Sequence, residues 1–491
     1  MASDILLRPT SATSLFSPAN STIDLEAIQG DVLLGLQKKW QLFVFFKIVD
    51  VPRFKHVLRC DIGRRITSSA EVQMRTLLLE EIKAAGNRDV LPLVGVNIAF
   101  TEAGITKLMP GADLGDPSFK AGQLSQAKAL GDPVDAAGKP TTWSAPFLAG
   151  AIEGVFLLAA GTEVDVRATW ALLDGLLGTT IEVVESQIGL VRPGAAAGHE
   201  HFGFQDGISQ PCVKGLTSPL PGQQVVSPGV FVCGYPGEGK PAPARPAWVK
   251  DGAFMVFRLL EQKVPEFNDF LNTAAPTLGG GGIDPVLLGA RMVGRWKSGA
   301  PVETTPLQDD TTVAADPTRN NDFDYSDDTG ERRCPYAAHI RKTNPRSDIP
   351  EQALTSHRII RAGIPFGPEL DAAEILAKTT QQSRGLAFVC YQASIPNGFE
   401  FLQISWANNP DFVSPIAGPK HHPDGTVVHT GLDPIIGQAG TGARVMDEPV
   451  PNYPIGGIRS SLNLPNPFIV PRGGAYFFAP SIPSLMTELS E

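Results

Sequence analysis

Three segments of the chain gather residue types that can do chemistry. The first, residues 198–211 (GHEHFGFQDGISQP), sets Asp206 directly before Gly207 and three positions after Gly203. Glycine allows tight turns and close approach of backbone to a flat ligand. Asp206 therefore reads as a candidate acid–base group, although an Asp that merely turns a loop is the commoner case. His199 and His201 form an H-x-H pair, but no third ligand follows at a metal-site spacing. The second segment, residues 332–346 (RRCPYAAHIRKTNPR), places one imidazole, His339, in apolar surroundings and follows it with Arg341, Lys342 and Arg346. A neutral imidazole can ligate a haem iron, and neighbouring cations can meet the propionates; for a lone His, a core position beside a solvated basic run is the commoner explanation. The third, residues 357–367 (HRIIRAGIPFG), ends an apolar stretch at Arg361 before a Gly/Pro turn. A strand-end Arg can point into a pocket with fixed geometry, or simply sit at the surface.

Elements that would position these groups come in two copies. Residues 40–49 are apolar and aromatic and predict a buried strand, and Pro52 fits the first turn of a helix opening at residue 50. Strands are expected over 91–100 and 155–160, a helix over 163–177 and a further β-rich stretch over 181–190. The second half repeats the order: strand 253–260, a helix opening at Val264-Pro265-Glu266-Phe267 that echoes Val51-Pro52-Arg53-Phe54, strands 357–364 and 385–391, helix 399–407 and strand 474–480. A βαββαβ order implies an α+β, ferredoxin-like unit with helices covering an antiparallel sheet, and repetition strengthens the reading. The expected division is residues 1–195 and 196–491. Gly/Pro-rich stretches at 219–246 and 273–284 predict long loops.

Composition bounds the function. With 42% hydrophobic residues the chain has ample core material, and no apolar run approaches the 18 or so residues a membrane span needs. A net charge of −10 argues against a nucleic-acid partner. Five scattered cysteines without a C-x-x-C pair speak against zinc ribbons, iron–sulfur centres and disulfide scaffolds. Residues 1–21 lack a signal-peptide pattern, so the chain is either a cytoplasmic protein or the mature form of a secreted one. G-x-S-x-G and H-E-x-x-H motifs are both absent, which disfavours hydrolases.

Taken together, GFQDG, AAHIRKTNPR and R-x-GIPFG resemble the dye-decolourising peroxidases. IQGDVL at 28–33, SRGLAFVCYQ at 383–392 and FEFLQISWAN at 399–408 extend the likeness along the whole chain, most closely to fungal members. The resemblance implies a duplicated ferredoxin-like fold of the dimeric α+β barrel superfamily. It also implies a haem b peroxidase that reduces hydrogen peroxide and oxidises dyes, phenols and other aromatic donors through compound I. By position, His339 matches the proximal iron ligand, Asp206 the distal acid–base and Arg361 the distal arginine. Gly207 and Ile208, which follow the distal acid, are expected to contact the haem with it. Arg341 matches a propionate partner, Leu386 and Phe388 the apolar pair confining the peroxide site, and Asp433 a carboxylate behind the imidazole. Trp406 matches a surface oxidation site, with a core aromatic as the equal alternative. Phe366 stands where many fungal members carry Tyr, and Gly363 where bacterial relatives often carry Asn. Mn²⁺ is a further candidate donor, with Asp348 and Glu351 as its weak site against the plainer reading of a solvated acidic surface. His421, His422 and His429 are expected to be exposed rather than metal-binding. A haem-handling protein without peroxidase turnover is the alternative, and a haem-free structural protein on the same repeat is a second.

Overall fold

A computed structural model describes residues 23–86, 91, 93–239, 242–278, 281–328, 330–412, 430–438, 444–447 and 461–491. Residues 1–21, read for a signal peptide, and His421, His422 and His429 lie outside them.

Among the described residues one nine-stranded sheet dominates. Its strands are β1 (Trp40–Ile48), β2 (Val94–Phe100), β3 (Gly154–Ala160), β4 (Ile181–Leu190), β5 (Ala253–Gln262), β6 (Ile360–Arg361), β7 (Ile364–Phe366), β8 (Gly385–Gln392) and β9 (Ile469–Ala479). They lie in the order β4-β1-β3-β2-β9-β5-β8-β6, with β7 also paired to β8. Within each half the order is fourth, first, third, second, so the sequence repeat is a repeat of topology. The halves join where Phe100 of β2 pairs with Phe478 of β9.

The central strands are apolar on both faces because both faces are buried, whereas β4 is only partly buried. On β1, Leu42, Val44, Phe46 and Ile48 enter one core with the helix Glu163–Leu177, while Phe43 and Phe45 enter another. In that second core Phe45 meets Phe257 of β5 at 4.9 Å and Phe477 of β9 at 6.2 Å. Residues of the two halves thus face each other across one interior. The edges also converge: a Cβ on Gly189 of β4 would lie 2.4 Å from Ile364 of β7. The sheet curls into a barrel-like layer with helices outside.

Helix starts follow local chemistry. Asp50 accepts the Arg53 N–H with Pro52 in the first turn, and Ser68 and Glu71 form a reciprocal capping box. Helix 163–177 and strand 181–190 have the expected bounds. Strand 357–364 does not run unbroken: it splits into β6 and β7 around Gly363, where a Cβ would sit 2.9 Å from the Ala387 carbonyl oxygen. The helix expected at 399–407 is a π-helical segment, Phe401–Ala407. All five cysteines are free thiols, four of them buried. No helix of the described residues is long and apolar enough to cross a membrane.

Candidate active site

A cavity of about 280 Å³ opens in the second half of the chain, and every residue lining it lies between Glu200 and Pro471. Three of the sequence segments converge on it.

Asp206 arrives on a hairpin held at its base. Its N–H donates to the Gly198 carbonyl at 3.0 Å, and His199 bridges to Gln205. Inside the turn the Glu200 carboxylate accepts the N–H groups of Phe202 and Phe204, each at 2.8 Å. Burial pushes the Glu200 pKa up, against these hydrogen bonds. Gly207 adopts φ +81°, and a Cβ there would meet nothing within 4 Å, so this stretch of backbone has open space beside it. Asp206 Oδ1 accepts from its neighbour's N–H, Gly207, at 2.6 Å and from Arg361 Nη1 at 2.9 Å. Arg361, the last residue of β6, also donates through Nη2 to the Ser209 carbonyl at 3.3 Å. Leu386 and Phe388 of β8 and Ile208 add apolar wall.

His339 begins the five-residue helix His339–Thr343. Gly294, at φ +93°, lets that helix approach, since a Cβ there would lie 2.4 Å from Ile340 Cγ1. His339 Nδ1 lies 2.7 Å from Asp433 Oδ2. Asp433 is fully buried, and its other oxygen accepts the N–H groups of Ile435 and Ile436 at 2.8 and 3.0 Å. Burial pulls the His339 pKa down, but the Asp433 charge and hydrogen bond outweigh it and the net shift is upward. With Nδ1 held by the carboxylate, Nε2 is the nitrogen left for the cavity.

The cavity also carries an excess of cations, Arg295 buried and Arg346 and Arg358 half-buried. Arg295 donates to Gly299 and Asn320 carbonyls and to Asn321. Arg346 donates to the carbonyls of Asn321 and Phe323 and to the Asn321 side chain, and Arg358 to Gln224 and Asn344. None of these hydrogen-bond partners is a carboxylate. Burial and mutual repulsion pull Arg295 down to about 9 and Arg358 to about 10. Such a nest is satisfied by anionic groups from a ligand. One imidazole backed by a carboxylate, apolar walls and three arginines short of negative charge fit a flat, metal-bearing dicarboxylate such as haem.

Three positions depart from a reading the sequence offered. Arg341 does not line the cavity. Its guanidinium is wholly buried, paired to Asp348 at 2.7 and 2.8 Å and to Asp328 at 3.3 Å, and sandwiched between the Tyr325 and Tyr336 rings. Arg346, Arg295 and Arg358 line the cavity instead. The same ion pair occupies both Asp348 oxygens, so Asp348 is not free to bind Mn²⁺, and no group of three or more metal-ligating side chains forms among the described residues. Trp406 is 4% exposed and stacked on Phe412, a core aromatic rather than a surface site. Phe366 is buried, with its carbonyl 2.9 Å from His201 Nε2. Arg295, and Arg258, which lines the cavity and pairs with Asp132 at 2.7 Å, could not be picked out in the sequence because Asn320, Asn321 and Asp132 come from other segments; Arg358 stands three residues before Arg361 in a segment read only for Arg361.

Comparison with known proteins agrees with this architecture. Residues 27–193 match the DyP dimeric alpha+beta barrel domain, and residues 285–416 match the C-terminal model of Dyp-type peroxidases. The chain is 42% identical over 483 residues to a dye-decolorizing peroxidase of Mycena epipterygia, covering 94% of this chain and 86% of that one. An ancestral D-type dye decolorizing peroxidase superposes with a TM-score of 0.87 at 47% identity, covering 96% of this chain and 100% of that one. A dye-decolorizing peroxidase in complex with 2,6-dimethoxyphenol superposes at 0.82 with 40% identity, again covering 96% and 100%. On these matches the chain belongs to the dye-decolorizing peroxidase family, and so to the haem-dependent peroxidases.

Proposed function

We propose that the chain is a haem b peroxidase that reduces hydrogen peroxide at the expense of dyes and phenols, with His339 as iron ligand and Asp206 and Arg361 as the peroxide-handling pair. The observation that carries the reading is the convergence of His339–Asp433, Asp206–Arg361 and the arginine nest on one cavity. Bound haem supplies the redox-active iron at which the peroxide O–O bond is broken. His339 Nε2 holds that iron, and Asp433 fixes the ring proton on Nδ1 and makes the imidazole a stronger donor. Arg295, Arg346 and Arg358 meet the propionates.

Asp206 Oδ1 is anchored, and Oδ2 accepts no hydrogen bond among the described residues, so Oδ2 is the atom that takes the peroxide proton and returns it to the departing oxygen. Arg361 Nη1 lies beside that carboxylate, and the guanidinium stabilises the negative charge developing on the departing oxygen. Leu386 and Phe388 keep the space small and dry. The complex of a relative with 2,6-dimethoxyphenol supports a phenolic donor.

Stopped-flow absorbance of the haem-loaded protein with peroxide at acidic pH tests this. Asp206→Asn should slow the loss of the ferric Soret band by about 10²–10⁴-fold, the usual range for a lost general base. Arg361→Leu should slow it by about 10²–10³-fold, as for other lost charge-stabilising donors. Rates equal to wild type in both variants would remove Asp206 and Arg361 from the peroxide chemistry, and a wild-type spectrum indifferent to peroxide would leave a haem-handling protein as the better reading.

A further inference from the structure

Arg361 is held in a way its own strand does not explain. Ala362 donates to the Val389 carbonyl at 2.9 Å, so Ala362 and Val389 form the hydrogen-bonded pair of that ladder. Arg361, opposite Cys390, is then in a non-hydrogen-bonded pair and turns its N–H and C=O away from β8. Among the described residues β6 ends the sheet order, so no further strand of this sheet lies on that side.

The side chain of Gln210 fills the position. Its Oε1 accepts the Arg361 N–H at 3.3 Å and its Nε2 donates to the Arg361 carbonyl at 2.6 Å. One carboxamide thus stands in for one peptide of the missing strand. Gln210 is anchored in turn, its own carbonyl accepting from Gln223 Nε2 at 3.3 Å. From the first half of the chain, Lys38 Nζ donates to the next carbonyl, Ala362, at 2.5 Å. The stretch 206–210 therefore grips both ends of Arg361: the backbone through Gln210, and the guanidinium through Asp206 and the Ser209 carbonyl. A side chain with this many rotatable bonds keeps its tip in register only if its root is fixed.

We propose that Gln210 is a positioning residue for Arg361, setting where the guanidinium stands relative to Asp206, with Lys38 supporting the adjoining peptide. This rests on the reading that Arg361 acts on peroxide. The variants are Gln210→Met, which keeps length without hydrogen bonds, and Gln210→Glu, which keeps the acceptor and loses the donor.

Hydrogen exchange at the Arg361 amide of the cofactor-free protein, resolved by fragmentation mass spectrometry, is the first readout. Loss of one hydrogen bond should speed exchange about two- to tenfold in Gln210→Met and less in Gln210→Glu. The second readout is the peroxide rate constant of the haem-loaded protein. It should fall about five- to fiftyfold in Gln210→Met, with donor oxidation by the peroxide-treated enzyme unchanged, and Gln210→Met should add nothing in an Arg361→Leu background. Unchanged exchange, or a full additive loss in the double variant, overturns the proposal. A normal rate in Arg361→Leu alone overturns the peroxide-site reading instead, and the clasp then stands or falls on the exchange result.

Discussion

Replacing Asp433 by Asn is the sharpest test of the proximal side. The substitution keeps size and can keep Oδ1, which accepts from Ile435 and Ile436 at 2.8 and 3.0 Å, so the loop retains its shape. What changes is the group 2.7 Å from His339 Nδ1, where a carboxylate oxygen becomes an amide NH₂. Two N–H groups cannot face each other. Either the ring proton moves to Nε2, the nitrogen proposed to bind iron, or a buried donor is left unpaired at about 1–3 kcal/mol. Removing such a carboxylate typically weakens binding of the liganded metal about 10–100-fold, or about 1.4–2.7 kcal/mol, the same range by a separate route. The assay is titration of the cofactor-free protein with haemin, followed at the Soret band, with His339→Ala as the variant that loses axial ligation. Asp433→Leu should lose thermal stability as well, because Ile435 and Ile436 lose their acceptor. A haemin Kd for Asp433→Asn equal to wild type would refute the claim that Asp433 fixes the imidazole.

Two buried acids should shape stability against pH in opposite senses. Glu374 is fully buried, accepts from Gln381 and Gln382 N–H groups and pairs with Arg384; that pairing, opposed by burial, holds its pKa near 2 rather than 4.5. A depressed folded pKa gives stability that is present above pH 4.5 and lost as pH falls toward 2, so the Tm gap between wild type and Glu374→Gln should be constant at neutral pH and narrow across that window. Glu303 is pushed up to about 8, chiefly by burial and then by Asp328, against the pull of Arg333. Between 4.5 and 8 the unfolded chain releases this proton and the folded chain keeps it, so wild-type stability falls with rising pH and Glu303→Gln should flatten the decline in a Tm-against-pH series.

The strands were legible because apolar runs such as Phe43–Phe46 are buried on both faces, and the paired Val-Pro-x-Phe helix starts exposed the duplication. Asp206, His339 and Arg361 could be read because each sits in a short segment whose glycines or apolar neighbours mark it. Arg341 misled because a cation two residues past His339 need not share its direction; here it turns back into an ion pair with Asp348. The arginine nest was illegible for a different reason. Arg295, Arg346 and Arg358 are held by carbonyls and amides from distant loops, and contacts of that kind leave no periodicity in the sequence. The break at Gly363 was also hidden, since it depends on the Ala387 carbonyl in a strand more than twenty residues away.

The β2–β9 junction gives the duplication a further meaning. A single ferredoxin-like sheet would expose an edge strand open to other chains. Here the first copy closes that edge and contributes Phe43 and Phe45 to the shared interior, yet no residue of it lines the cavity. The molecule behaves as a dimer whose two protomers are tethered, so their effective concentration is fixed by the chain itself. Dilution cannot separate them, and the catalytic copy keeps its partner at any enzyme concentration. The first copy, freed from chemistry, can vary in its outer helices wherever β1, β2 and Lys38 are preserved.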